Sequence, residues 1–347
     1  MSSSCANPLL DQTDRKGASS EEPSSSDYYW NSYAHFGIHE EMLKDSVRTK
    51  SYRASILQNK HLFKGKTVLD VGCGTGILSM FAAQAGAAHV YAVDMSDIIK
   101  QAHQIITANG FGSVITCIQG RIEDIELPVE KVDIIVSEWM GYFLVYENML
   151  KTVIIARDRF LKPGGIMMPD KASLYFVAIE DAKYKDDKIN WWENVYGFNM
   201  SIIRDLAIKE PIVDIVDAAA VNTTTALAWT MDISTITVAE LDFTFEFQLE
   251  ITRDDYAHAL VAFFDIEFSK CHTPIRFSTG PFSDYTHWKQ TVFYLPDVLA
   301  VSRGDTFKAS MRVQPNQKNN RDMNISLHYT FESKYGPING EIDYTLR

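Results

Sequence analysis

The feature that most constrains the fold is a change of rhythm at Pro169. Before it, apolar runs at 67–71, 89–93, 114–118 and 132–137 alternate with helix-like segments at 77–85, 96–108 and 147–160. That alternation is the pattern of a parallel sheet covered by helices. Pro163-Gly164-Gly165 then marks a break. After Pro169 the apolar period falls to two. It is clearest where Leu241, Phe243, Phe245, Phe247, Leu249 and Ile251 share one face, the signature of a half-buried antiparallel sheet closed as a barrel or sandwich. With 347 residues, 46% of them hydrophobic, the chain can bury about two such cores. The expected organisation is an α/β domain over 61–170 and a β-barrel domain over 171–347, preceded by helices over 27–60.

Two segments fall outside that rhythm. Residues 1–26 are rich in Ser among acidic residues and lack the apolar surface to offset ordering entropy, so they are expected to be a disordered tail. Residues 182–211 carry Trp191, Trp192, Tyr196, Phe198, Ile202 and Ile203 in a helical pattern unusually apolar for a connection. Such an insert either docks on another subunit or packs on its own chain.

The net charge of −12 argues against a dedicated nucleic-acid binder and favours cationic partners. No apolar run is long enough to span a membrane, and the N-terminal residues show neither a secretory nor a myristoylation pattern, so an intracellular protein is expected. Cys5, Cys73, Cys117 and Cys271 have no metal-ligand spacing and read as reduced thiols. No metal site is expected.

The sharpest local motif runs from Val68 to Gly76, a strand whose end, Asp70, leads into a turn with glycines at 72, 74 and 76 and then a helix. Glycines there let backbone approach a ligand, and Asp70 is placed to orient the loop or a ligand ammonium group. A dinucleotide fingerprint needs its third glycine at 77, where this chain has Ile77, and no phosphate-binding Lys-Ser/Thr follows. The pattern suits a ligand with ribose and adenine but no phosphate, such as S-adenosylmethionine. Asp94, at the end of the next strand, fits ribose hydroxyls, and Glu123, after the third, fits an adenine amino group. Taken singly, the first reads equally as a helix N-terminal residue and the second as a solvated loop acid.

After the fourth strand, Glu138 and Glu147 bracket an apolar and aromatic loop. Two carboxylates in such company repel unless a cation lies between them. Guanidinium is planar, permanently charged and gripped by paired carboxylates, which orient it and draw its charge away from the attacking nitrogen. Ordinary salt-bridge acids remain the plainer reading of the pair.

These residues carry a family resemblance. Tyr28 to Tyr33, His39 to Asp45, Val68 to Gly76, Ser137 to Glu147 and Thr286-His287-Trp288 together resemble the protein arginine N-methyltransferases, most closely the predominant type I, which forms asymmetric dimethylarginine. The match runs from about Tyr28 to the C-terminal residue. It implies a Rossmann-like S-adenosylmethionine-dependent methyltransferase domain, a substrate-side β-barrel, and a dimerisation arm at 182–211. It implies cofactor contacts from Tyr29, Tyr33, His39, Met42, Arg48 and Met149 as well as Asp70, Gly72, Gly74, Gly76, Asp94 and Glu123. Tyr29 and Tyr33 would lie on a helix folded over the cofactor, and Arg48 would pair with its carboxylate. Glu138 and Glu147 would clamp the substrate guanidinium, while His287 and Asp45 would stabilise the pocket or help to remove a proton. Met42 and Met149 match the methionines of the asymmetric-dimethylating type, although Met also fills irregular core gaps. Asp94 departs from the Glu that many members carry.

The expected function is methyl transfer from S-adenosylmethionine, leaving S-adenosylhomocysteine, to arginine in Arg-Gly-rich proteins such as RNA-binding proteins or histones. The expected partners are those substrates and an identical or related subunit, in the cytoplasm, the nucleus or both. A small-molecule methyltransferase shares the glycine loop but not the paired glutamates. A non-catalytic or partner-dependent subunit is the second alternative; a purely non-catalytic one should have lost parts of a constellation that is complete here.

Overall fold

The structure, a computed structural model, describes residues 6–13, 35–334 and 336–347. Helices α1 (Phe36–Lys44), α2 (Ser46–Leu57) and α3 (Lys60–Phe63) come before the main sheet. Asp45, with extended backbone, stands between the first two, and its Oδ1 accepts from Arg48 N at 3.0 Å, satisfying a donor at the start of α2.

Strands β1 (Leu10–Asp11), β2 (Thr67–Val71), β3 (His89–Asp94), β4 (Ile115–Gln119), β5 (Val132–Ser137) and β6 (Leu161–Met168) form one sheet in the order β1-β4-β3-β2-β5-β6. Every pairing in it is parallel. Between the strands run α4 (Ile77–Gln84), α5 (Ile98–Ala108) and α6 (Met149–Phe160). β2 to β5 are almost entirely buried, as strands with helices on both faces must be. From β2 the chain steps outward through β3 and β4, then crosses back to β5 on the other side. That reversal opens a crevice beyond the carboxyl ends of β2 and β5, the place where open α/β sheets bind ligands.

The sheet differs from the expectation in two places. Residues 6–13 fall inside the tail expected to be disordered, yet Leu10 pairs with Ile118 and Asp11 with Gln119, adding β1 as an edge strand. Backbone hydrogen bonds of a sheet edge hold a polar segment that lacks a core of its own. Pro163-Gly164-Gly165 does not end an element either. The register passes from Val132–Leu161 to Ile134–Ile166, so these residues form an excursion within β6.

The β-rich half is two antiparallel sheets. One comprises β7 (Lys171–Ile179), β8 (Ile212–Asp214), β9 (Ala226–Asp232), β11 (Asp255–Phe268) and β13 (Gln290–Val301) in the order β8-β13-β11-β7-β9, with β12 (Ile275–Ser278) on β11. The other comprises β10 (Phe243–Glu250), β14 (Thr306–Pro315), β15 (Met323–Ser333) and β16 (Gly336–Leu346) in the order β10-β14-β15-β16. β10 alternates buried and exposed along its whole length, as its sequence predicts. Phe176 lies against Phe247 at 4.5 Å between ring centres, and Phe293 meets Tyr344 at 5.1 Å, joining the two sheets. The expected barrel is therefore two facing sheets, linked at one corner by a bridge between Thr223 and Ile251.

The insert holds α7 (Ala182–Lys188), a 3₁₀ turn (Asn190–Glu193) and α8 (Ser201–Ala207). Its base is tied to the sheet: Lys185 Nζ donates to Leu295 O at 2.8 Å and Tyr294 OH to Asp181 at 2.5 Å. Its tip is uncovered, with Tyr196 94% and Ile202 81% exposed beside Phe198 and Leu206. Packing on its own chain describes the base and not the tip.

Candidate active site

The crevice continues into a cavity of about 500 Å³ bounded by the glycine loop, α1 and α2, the 138–149 loop and residues 317–321. It begins at β2, where Gly72 and Gly76 have φ of +71° and +83°, a region that side chains with Cβ rarely adopt. At Gly72 a Cβ would lie 2.3 Å from Met149 Cε, so a side chain there would be strained by the positive φ and would push the end of Met149 out of its place. Gly74 N donates to Asp94 Oδ2 at 2.9 Å, while Asp94 Oδ1 accepts from Ser96 N and Oγ at 2.8 and 2.7 Å. In phosphate-binding loops such N–H groups face the phosphate. Here a carboxylate stands against the loop and would repel one, while it can still accept from hydroxyls.

Asp70 and Gly76 were expected as ligand contacts, but they shape the cavity from behind its wall. Asp70 is buried and accepts from Ser79 Oγ at 2.7 Å, tying β2 to α4, and its Oδ1 has no hydrogen bond among the described residues. Burial raises its pKa to about 7, against the lowering effect of Ser79. It therefore orients the loop rather than facing a ligand ammonium. Gly76 allows close approach to α5, where Ile106 Cδ1 lies 2.9 Å from the position of a Cβ.

Glu123 lines the cavity and accepts from Thr152 Oγ1 at 3.1 Å. Its loop is held by Arg159, which donates to the carbonyls of Ile122, Glu123 and Ile125 at 2.5 to 2.9 Å.

Glu138 and Glu147 both line the cavity. The loop joining them is unusually bent, with φ of +52°, +66°, +69° and +57° at Phe143, Leu144, Glu147 and Asn148. Such conformations cost of order 1–3 kcal/mol each and persist where the surroundings fix them. Phe143 and Leu144 are buried in the core, and Glu147 N donates to Arg321 O at 3.0 Å. At Gly141 a Cβ would lie 2.1 Å from Tyr146 O, so the loop closes only on glycine. Trp288 Nε1 donates to Met140 O at 2.8 Å and Tyr52 OH to Ser137 O at 2.9 Å, holding the backbone on both sides of Glu138.

Arg48 was expected to meet the cofactor carboxylate. In the structure its Nε donates to Glu138 Oε2 at 2.8 Å, and its Nη1 lies 3.3 Å from Met42 O. His287 lines the cavity with Asp45 behind it, and Asp45 Oδ2 accepts from both the backbone N and Nδ1 of His287, at 2.9 and 2.7 Å. His39, Met42 and Met149 line the wall, Met149 against Gly72 and His39 against Gly74. Tyr29 and Tyr33 lie outside the described residues. The sequence reading missed Lys151, Thr152 and residues 317–321. The polar run after β14 signals a turn, but nothing local indicates that the turn returns to this cavity.

The residues fit a phosphate-free nucleoside: a glycine loop closed to phosphate, carboxylates at two strand ends, and a methionine-lined wall. Among the described residues no group of three His, Cys, Asp or Glu could hold a metal ion.

Comparison with known proteins agrees with this geometry. Residues 68–165 match the methyltransferase domain family, and residues 170–334 match the arginine methyltransferase oligomerization subdomain. Protein arginine N-methyltransferase 1 of Chlamydomonas reinhardtii is 54% identical over 340 residues, 98% of this chain and 96% of that protein. The chain belongs to the protein arginine N-methyltransferase family. The Schizosaccharomyces pombe protein arginine N-methyltransferase 1 is 55% identical over 92% of this chain and 95% of its own length. Among solved structures, the Trypanosoma brucei PRMT1 enzyme-prozyme heterotetrameric complex with AdoHcy superimposes with a TM-score of 0.89 at 48% identity, covering 91% of this chain and 100% of that one. The protein is an S-adenosylmethionine-dependent arginine N-methyltransferase of type I, with a Rossmann-like domain followed by an oligomerisation subdomain.

Proposed function

We propose that the cavity binds S-adenosylmethionine and the target arginine side by side, Asp94 taking the ribose hydroxyls and Glu123 the adenine amino group. The observation that carries this reading is the convergence of Glu138 and Glu147 on the cavity that also holds the glycine loop, Asp94 and Glu123. Arg48 Nη2, with no hydrogen bond among the described residues, is available to the cofactor carboxylate while Nε keeps hold of Glu138. His39, Met42 and Met149 pack along the cofactor.

Bound there, S-adenosylmethionine supplies a methyl group carried on a positively charged sulfur. Glu138 and Glu147 grip the guanidinium from two sides and fix one nitrogen in line for transfer. Their charge offsets the cation in a site shielded from water, where such attraction is strong. Glu138 is held for this task by Arg48, and Glu147 by the backbone at Arg321. His287, anchored by Asp45, stands on the cavity wall where a proton has to leave.

The products are monomethyl- and asymmetric dimethylarginine, with Met42 and Met149 shaping the pocket. The substrates are Arg-Gly-rich proteins, drawn by the charge of −12. The assembly is a dimer or larger through the arm, of identical or related subunits. Cys73, Cys117 and Cys271 are buried free thiols, in keeping with the reducing cytoplasm or nucleus. The test is incubation of the purified chain with S-adenosylmethionine and an Arg-Gly-rich peptide, followed by hydrolysis and identification of the methylated amino acid. Asymmetric dimethylarginine is expected; symmetric dimethylarginine would overturn the product assignment, and methylation insensitive to ionic strength would overturn attraction by surface charge.

A further inference from the structure

Gln12 grips the rim of the cofactor cavity from outside. Its backbone N donates to Gln119 O at 2.9 Å, continuing the pairing of β1 with β4 by one residue. Its side chain then makes a reciprocal pair with the backbone of Glu126: Nε2 donates to Glu126 O and Oε1 accepts from Glu126 N, both at 3.1 Å. Gly120, between these anchors, has φ of +154°; a Cβ there would meet Ile125 Cγ2 at 2.5 Å, while Gln12 Cβ lies in ordinary contact at 3.6 Å. Residues 120–123 line the cavity. The loop that presents Glu123 is thus held at two points, from inside by Arg159 through three carbonyls and from outside by Gln12.

The outer anchor is itself tied down. Asn7 N donates to Gly112 O at 2.8 Å, and His103 Nε2 on α5 lies 2.8 Å from Asn7 O. Gly112 has no Cβ where Ala6 Cβ would be 2.7 Å away, so the chain lies flush with the sheet edge. Asp11 Oδ1 accepts from Thr13 N and Oγ1 at 3.0 and 2.7 Å, a local turn that fixes the backbone just beyond Gln12.

We infer that Gln12 is a positioning residue for cofactor binding: strand β1 carries it to the 120–126 loop, where its amide holds Glu123 at the adenine end of the site. The inference rests on the cofactor reading above and adds to it a residue from outside the methyltransferase domain. Losing both hydrogen bonds of the amide pair frees the outer anchor of the loop and weakens cofactor binding about five- to tenfold, ~1.0–1.4 kcal/mol. The chemical step does not depend on the loop and is unchanged.

The test uses the full chain with Gln12→Ala, and a chain lacking residues 1–13, with S-adenosylhomocysteine titrated calorimetrically and steady-state kinetics in S-adenosylmethionine. The expected result is a Kd and KM raised about fivefold or more with kcat within about twofold. A peptide of residues 6–13 added to the shortened chain is expected to restore affinity. Combining Gln12→Ala with Glu123→Gln is expected to cost less than the product of the single effects, because both act through one loop. An unchanged Kd in Gln12→Ala, or fully multiplicative effects, overturns the inference. If Glu123→Gln alone leaves the affinity unchanged, the adenine role of Glu123 fails, and with it positioning by Gln12 through that residue. Should the shortened chain fail to fold, Gln12→Ala decides alone.

Discussion

Arg48 Nε donates to Glu138 Oε2 at 2.8 Å, with only 8% and 7% of the two side chains exposed. The contact ties α2 to the end of β5, and in the proposed reading it makes the cofactor side and the substrate side of the cavity share one ion pair. Removing one partner of a buried pair costs about 3–5 kcal/mol, because the other is left charged and uncompensated. Glu138→Gln keeps an acceptor for Arg48 but loses the charge proposed above to hold guanidinium. Turnover is predicted to fall at least about hundredfold, while affinity for S-adenosylhomocysteine changes less than about tenfold. Kinetics and calorimetry on the same preparation check this; equal losses in both would make Glu138 chiefly a support for the cofactor.

Asp45 and His287 are joined across 242 residues. Burial opposes ionisation of Asp45, but hydrogen bonds from the His287 ring and from the backbone of Arg48 and His287 outweigh it and hold its pKa below the usual 3.8. A depressed carboxyl stabilises the fold above its unfolded pKa and loses that contribution as pH falls through the lower folded value. Asp45→Asn is therefore predicted to cost about 2–3 kcal/mol at pH 7, a gap that stays level from pH 8 to 5. It should narrow only below the unfolded pKa of 3.8. Denaturant midpoints across pH give the answer, and a gap that already narrowed above pH 5 would show that the effect does not come from the Asp45 carboxyl.

What the sequence made legible follows from how local each signal is. The parallel sheet of β2 to β5, though not the order of its strands, and the glycine turn were readable because strand, turn and helix are contiguous there. Glu138 and Glu147 stood out because two acids in an apolar stretch need a reason. The strand at residues 10–11 was not readable, since its stability comes from the edge of β4 more than a hundred residues away. The same holds for Ser79 beneath Asp70, for Arg159 behind Glu123 and for residues 317–321 at the cavity mouth. In each case an ordinary polar residue gains its role only when the fold closes. Arg48 was assigned to the site, but its second partner, Glu138, lies 90 residues on.

Asp70 gives a second pH signature, of opposite sign. Burial raises its pKa to about 7 from 3.8, so the folded chain holds this proton more tightly than the unfolded one. The group imposes no penalty below the unfolded value, and its penalty grows as pH rises towards 7 and is complete above it. Asp70→Asn retains an acceptor for Ser79 Oγ without the charge. The variant is predicted to gain in Tm relative to wild type between pH 5.5 and 8.5, by a few degrees at the upper end. Thermal unfolding at several pH values tests this, and parallel profiles would show that Asp70 is already ionised in the fold at pH 5.5, so that burial does not raise its pKa as far as about 7.

The arm presents Tyr196 and Ile202 to solvent at 94% and 81% exposure, so neither stabilises the isolated subunit. Burying such a side chain in an interface contributes about 1.5–3 kcal/mol. Two truncations should therefore weaken assembly by more than about a hundredfold while leaving the subunit's own stability unchanged. Tyr196→Ala combined with Ile202→Ser is predicted to shift sedimentation from an oligomer to a monomer at micromolar concentration. Methylation is predicted to fall with it, because residues 182–211 lie within the oligomerisation subdomain of an enzyme family whose cavity shares that half of the chain. If the double variant stayed oligomeric but unfolded at lower temperature, the tip would be packed on its own chain, and the contacts between subunits would have to be sought elsewhere.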